Sequence, residues 1–160
     1  MALAFKTTID LPQNLRTKMV KLINQQLSDT FDLHSQVKHA HWNVRGMNFM
    51  QLHLLYDQIA AELPPHIDTL AERAGVLGGA AKGTARMATA DTRLDDLPET
   101  FKNEKESVEL LVKNYATLAE STRKAIDEAD EAGDADTADL FTAISRTLDK
   151  SRWFLEAHLQ

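Results

Sequence analysis

Four side chains have the types and spacing of a cation site: His53, Asp57, Asp68 and Glu72. They form two pairs, each four residues apart, and residues four apart stack one turn above the other on a helix. At 100° per residue His53, Asp57, Ala61, Asp68 and Glu72 share a sector about 100° wide. Carboxylates gathered like this repel one another unless they are solvated or bound to a cation. A solvated polar face is the ordinary reading of such a sector. Against it, Lys and Arg are absent from Asn48 to Leu70, so the sector has no cationic partner before Arg73. Asp57 and Asp68 lie eleven residues apart, roughly 16 Å along a straight helix at 1.5 Å per residue. One chain therefore cannot bring both pairs to one ion. Two copies of the helix, antiparallel about a two-fold axis, would do so and would make two equivalent sites. The spacing predicts a metal site shared between subunits.

Composition narrows the chemistry. The chain has 160 residues, net charge −6 and no cysteine. That length is one domain, residues 1–160. Without thiols there is no disulfide, zinc–thiolate site or cysteine nucleophile. Any metal must be held by His, Asp and Glu, which suits zinc or iron-type ions. No histidine has Glu three residues before it, and the zinc-protease HExxH is absent. The Glu-x-x-His pairs of di-iron bundles are thereby excluded. "GVLGGAAKG" lacks the strand context and ending of a phosphate loop. An acidic chain without clustered basic residues attracts cations and repels nucleic acid. No apolar run approaches the roughly 18 residues of a membrane span, and "MALAFKTTIDLPQ" does not read as a signal peptide. The expected location is the cytoplasm.

The elements that must position these residues are helical throughout. After Asp10-Leu11-Pro12, apolar residues step by three or four through Leu15, Met19, Leu22, Ile23, Leu27, Phe31, His34, Val37 and His41. His39 falls on the opposite side, as an outward neighbour. A second pattern, Asn48 to Gly75, buries Phe49, Leu52, Tyr56, Ile59, Leu63, Ile67 and Leu70 and is interrupted by Pro64-Pro65, which predicts a kink or a local loss of hydrogen bonding. Residues 75–100 form a long connection, with a short helical turn expected in "DTRLDDLP". A third pattern starts near Asn103 (Val108, Leu111, Tyr115, Leu118, Ile126). The loop "DEAGDAD" and a fourth stripe (Leu140, Ile144, Leu148, Leu155) follow. The layout is all-α: a ferritin-like four-helix bundle whose long crossover connection carries a short helix.

Three segments, "AHWNVRGMNFMQLHLLYDQ", "HIDTLAERAGVLGG" and "DTADLFTAISRTLDKSRWF", resemble the Dps mini-ferritins, the DNA-protection proteins of starved bacteria. The resemblance runs from about residue 12 onward. It implies ferroxidase ligands at His41, His53 and Asp57 of one subunit, with Asp68 and Glu72 from its two-fold partner. It further implies a hollow dodecamer that oxidises Fe2+, preferably with H2O2, and stores Fe(III) mineral. By the same resemblance, Trp42 lies near the iron site and takes up stray oxidising equivalents, with a large core or interface residue as the plain alternative. Asp134, Asp136 and Asp139 are implied at or near a three-fold pore, where carboxylate rings focus cations. The plain alternative is a helix cap at Asp134 or Asp136.

Two positions depart from the family pattern. Leu54 and Gln58 stand where many or some members carry an acid that helps nucleate mineral. Members that coat DNA often use a basic tail, and this chain has none, so weak or absent DNA binding is expected. Two further readings stand beside the ferroxidase: a DNA-compacting nucleoid protein with weak iron activity, and a cage occupied by zinc, a real competitor at a His/carboxylate site. Of the remaining histidines, His34 reads as a core residue and His66 as a neighbour of the ligand sector.

Overall fold

The computed structural model describes residues 3–160, and among them all regular structure is helical. In chain order these are α1 (Gln13–Asn43), α2 (Phe49–Ala61), α3 (Leu63–Val76), α4 (Ala85–Asp91), α5 (Glu104–Ala132) and α6 (Ala135–Glu156). The four long stretches expected from the periodicity form a bundle, with α2 and α3 together making the second. Its core is built from Met19, Ile23, Leu27, Leu33 and Val37 of α1, Leu52, Tyr56 and Ile59 of α2, Leu63 and Leu70 of α3, Leu111, Tyr115 and Leu118 of α5, and Phe141, Ile144 and Leu148 of α6. No helix among the described residues is long and apolar enough to cross a membrane.

Of the expected outcomes at Pro64-Pro65, the structure shows the local loss of hydrogen bonding. Pro64 and Pro65 have no N–H, so the carbonyls of Ala60 and Ala61 lose their helical partners. Helical hydrogen bonding lapses for one residue, Glu62, whose backbone keeps the αR conformation (φ −76°, ψ −19°), and resumes with the prolines in the first turn of α3. Glu62 accepts hydrogen bonds from Lys150 Nζ (2.7 Å) and Ser151 Oγ (2.8 Å), which fasten the break to α6.

The crossover carries its short helix earlier than the sequence suggested. Thr84 caps α4 by accepting from the Met87 N–H, whereas "DTRLDDLP" beyond Asp91 is irregular. That segment is extended because side chains of other elements hold its backbone. Gln25 donates to the Asp91 carbonyl (2.7 Å), and Gln36 and Asn114 donate to the Asp95 carbonyl (3.2 and 2.8 Å). Arg93 pairs with the buried Asp29. The crossover leaves α3 through Gly78, whose φ of +83° admits no ordinary side chain, and Gly79, where a Cβ would stand 2.4 Å from Val20 Cγ1.

The expected loop between the last two helices shrinks to Gly133 and Asp134. α5 runs to Ala132, Gly133 ends it in the left-handed conformation (φ +84°), and Asp134 caps α6. Most acids of "DEAGDAD" therefore sit on helices.

Candidate metal centre

The site is assembled where α1 ends and α2 begins. The last carbonyls of a helix have no partner within it, and His41 lies in the last turn of α1. His53 Nδ1 donates to the His41 carbonyl (2.9 Å), and His41 Nδ1 donates to the His53 carbonyl (2.8 Å). The two rings stack at 3.8 Å between centroids and 19° between planes. A carbonyl only accepts, so each neutral ring carries its proton on Nδ1 and keeps its lone pair on Nε2. Neither Nε2 takes part in a hydrogen bond among the described residues. A reciprocal clamp of this kind fixes tautomer and ring orientation together, as second partners do for metal-binding imidazoles. Phe49 stacks on the far side of His53 at 5.1 Å.

Asp57 stands one turn beyond His53 and is exposed. Lys38 of α1 donates to its Oδ1 at 2.6 Å. That hydrogen bond, then the lysine charge, holds the Asp57 carboxyl below its ordinary range. The sector thus has a cationic partner, contrary to what the α2 and α3 sequences alone suggest. It comes from another helix. Lys38 precedes His41 by three residues and so shares its face of α1, the one signal that could have revealed it. The same ammonium sits 5.7 Å from the ring centroid of Trp42, a cation–π contact.

Trp42 is 61% exposed. The alternative of a core tryptophan within this chain therefore fails. Met47, Met50 and Leu54, close by in sequence, are exposed as well. His39 is not the outward bystander that the wheel suggested. It is half-buried, its Nε2 donates to the Pro98 carbonyl (3.0 Å), and its ring meets Phe101 edge-on at 5.8 Å, so it holds the end of the crossover.

Asp68 and Glu72 are exposed on α3. Among the described residues no three His, Cys, Asp or Glu side chains of one chain converge on a metal-sized space. His41 and His53 stack on each other and Asp57 stands one turn along α2, while Asp68 and Glu72 lie on α3, beyond the fault at Glu62. His34, read as a core residue, is half-buried beside Phe31, Pro64, Ile67 and Asp68, lining a groove between α1 and α3. Burial, then the Lys38 charge, lowers its pKa. His66 bonds the Thr147 hydroxyl of α6 at 3.0 Å, and burial lowers its pKa too.

The three aspartates expected near a pore divide. Asp134 is 2% exposed and fully engaged. It accepts from the Thr137 N–H (3.1 Å) and hydroxyl (2.6 Å) and pairs with Arg73 at 2.6 Å. Its geometry is that of the plain alternative, a helix cap, joined to a buried ion pair. Asp136 is exposed with Arg73 at 3.7 Å, and Asp139 is exposed one turn into α6.

The arrangement has relatives. A family model described as a ferritin-like domain matches residues 20–160. The chain is 43% identical over 155 residues to a DNA protection during starvation protein of Agrobacterium fabrum, covering 97% of this chain and 96% of that one. A Brevibacillus brevis protein of the same name is 34% identical, covering 87% and 93%. Among solved structures, DpsC from Streptomyces coelicolor superposes with a TM-score of 0.94 at 32% identity, covering 98% of this chain and 92% of that chain. An archaeal Dps homologue from Halobacterium salinarum gives 0.93 at 25% identity, with 99% and 88% covered.

Proposed function

The chain belongs to the Dps family of ferritin-like proteins, and from that premise we propose that it is a ferroxidase and iron store working in the cytoplasm. Fe(II) is oxidised at sites shared by two subunits, and ferric mineral accumulates inside a twelve-subunit shell. The observation that carries this reading is the reciprocal His41–His53 clamp, which holds two imidazoles in the metal-binding tautomer beside Asp57.

The residues divide the work. His41 and His53 offer Nε2 donors that suit Fe(II) at neutral pH. Asp57, with Asp68 and Glu72 of a second subunit, adds hard oxygen donors that favour Fe(III) and so draw oxidation forward. Two ferrous ions give up one electron each, and one peroxide takes both electrons and two protons to become two waters. Trp42, next to His41 in sequence, stands ready to give up an electron when only one ferrous ion is present. Asp136 and Asp139 make the acidic approach for Fe(II) at the start of α6. Removing ferrous ion and peroxide together suppresses radical formation near DNA. A net charge of −6 opposes the alternative of a DNA-compacting protein.

The test is ferrous oxidation by peroxide, with stoichiometry and mineral size followed together. Two Fe(II) per peroxide and a soluble iron-loaded particle are expected. Asp68→Ala should slow oxidation at least tenfold. An unchanged rate would sink the site assignment, and turnover lost to stoichiometric zinc would instead support a zinc-occupied cage.

A further inference from the structure

The proposed cross-pairs fix a register that neither helix needs for itself. His53 with Glu72 and Asp57 with Asp68 have residue numbers that add to the same value, 125. Equal totals are what an antiparallel two-fold contact demands. The dyad then passes beside residues 62 and 63, at the break between α2 and α3.

The exposed faces obey the same rule. On α2, residues 50, 54, 57 and 61 follow one another at steps of four, three and four, and all are exposed. On α3, residues 64, 68, 71 and 75 repeat those steps, with only Ala71 half-buried. Each set spans about 60° of its helix. Run antiparallel, they match member for member: Met50 with Gly75, Leu54 with Ala71, Asp57 with Asp68, Ala61 with Pro64. Large apolar residues on one helix fall opposite small residues on the other.

Gly75 carries the argument furthest. Glycine is a poorer helix former than alanine, and Gly75 stands within the last turn of α3, so its presence there invites a cause. Gly46, Gly78 and Gly133 take positive φ, and Gly79 lies against Val20. Gly75 has no positive φ, and a Cβ there would meet nothing within 4 Å. Nothing in its own chain requires the missing side chain. Met50, the residue that the register places opposite, is a large apolar group 57% exposed, and Leu54, one turn further along the same face, is exposed as well.

We propose that Met50 of each subunit docks over the partner subunit's Gly75, and that this size-matched contact sets the register of the shared metal site. The inference rests on the split-site reading above. Gly75 is then a positioning residue. It touches no metal, but the space it leaves lets α2 and α3 of two copies approach until Asp68 and Glu72 reach the histidines.

The experiment uses the full chain and Co2+ alone as probe. Gly75→Trp, whose Cβ has nothing within 4 Å inside the chain, should keep its helicity by circular dichroism, lose the native assembly by light scattering, and bind Co2+ at least tenfold more weakly. The size swap Met50→Gly with Gly75→Met should restore both. Native assembly and unchanged cobalt affinity in Gly75→Trp would overturn the proposal. Should Gly75→Trp misfold, the swapped variant decides: assembly supports the contact and its failure overturns it. Asp68→Ala separates the two levels. If it loses cobalt while Gly75→Trp changes nothing, the docking contact is wrong and the shared site stands. If it binds cobalt normally while Gly75→Trp dissociates, the contact stands and the ligand assignment is wrong.

Discussion

Replacing Asp134 separates a structural role from a role in iron entry. Its carboxylate caps α6 through the Thr137 N–H and pairs with Arg73, whose side chain is 11% exposed against 2% for Asp134 itself. Asp134→Ala removes the cap, worth about 1 kcal/mol. It also strands a guanidinium that is mostly buried, and breaking such a pair costs about 3–5 kcal/mol. Two contacts soften that loss: Arg73 Nε still donates to Thr137 Oγ1 (3.0 Å), and Asp136 lies at 3.7 Å. A total near the lower bound, about 3 kcal/mol, is the expected destabilisation. Asp134→Asn keeps an acceptor for the Thr137 N–H but loses the charge assistance, which roughly halves a hydrogen bond's strength, and the second oxygen that accepts from the Thr137 hydroxyl. It should cost about 1–2 kcal/mol. The assay is urea unfolding at fixed subunit concentration, run beside the initial rate of ferrous uptake. The order Ala, then Asn, then wild type should appear in stability, with uptake per folded shell unchanged. Asp139→Ala, at an exposed position, should do the reverse: slower uptake and unchanged stability. Normal unfolding with slowed uptake in Asp134→Ala would refute the reasoning and return Asp134 to the pore.

Lys38→Met removes the hydrogen bond and charge that hold Asp57 low, so the carboxyl should titrate closer to its ordinary range. Calorimetry should then show tighter Co2+ binding at low ionic strength, and identical isotherms would mean that the ammonium does not compete. The pKa values of His34 and His66 are lowered from 6.5 in the folded chain, in each case mainly by burial. The unfolded chain therefore binds more protons below that value, and the stability these groups contribute is present above pH 6.5 and lost as pH falls through their folded pKa. The urea midpoint should decline on acidification, less steeply in His34→Asn with His66→Gln, and an equal slope would exclude them. Plasmid DNA should migrate unshifted at physiological salt, and a clear shift would show a basic surface that the net charge conceals.

What could be read in the sequence follows from the range over which each signal acts. Apolar periodicity acts along one helix, so the four long stretches and their inward faces were legible. So was the fault at Pro64-Pro65, since a missing N–H is local. The ligand spacing was legible too, and the eleven residues between Asp57 and Asp68 put the two pairs too far apart for one chain to bring them to one ion. Contacts between elements left no such trace. Lys38 reaches Asp57 from nineteen residues away, and His39 is half-buried only because Pro98 and Phe101 return to cover it. The short helix went to "ARMATAD" because Thr84 supplies a cap, while the better-looking turn downstream is held straight by Gln25, Gln36 and Asn114. The acid-rich junction looked like a loop because its composition resembles one. A glycine at 133 and a capping aspartate at 134 were enough to close it in two residues.

The register argued above sets Asp57 of one subunit against the partner subunit's Asp68, and two carboxylates in such a place repel without a cation. Lys38 supplies one. Its ammonium, anchored to Asp57 and to the face of Trp42, offsets one negative charge where the two subunits meet, so contact does not have to wait for metal. One half of the site, with Asp57 already neutralised, holds a free cation poorly. The other half, Asp68 and Glu72, attracts cations but offers no imidazole. Neither half is a strong site by itself. Assembly should therefore precede loading, and an arriving divalent ion must move the lysine aside before Asp57 can coordinate it. On this view Lys38 acts as a placeholder that lets an anionic interface close empty and open its ligands only to an ion of higher charge.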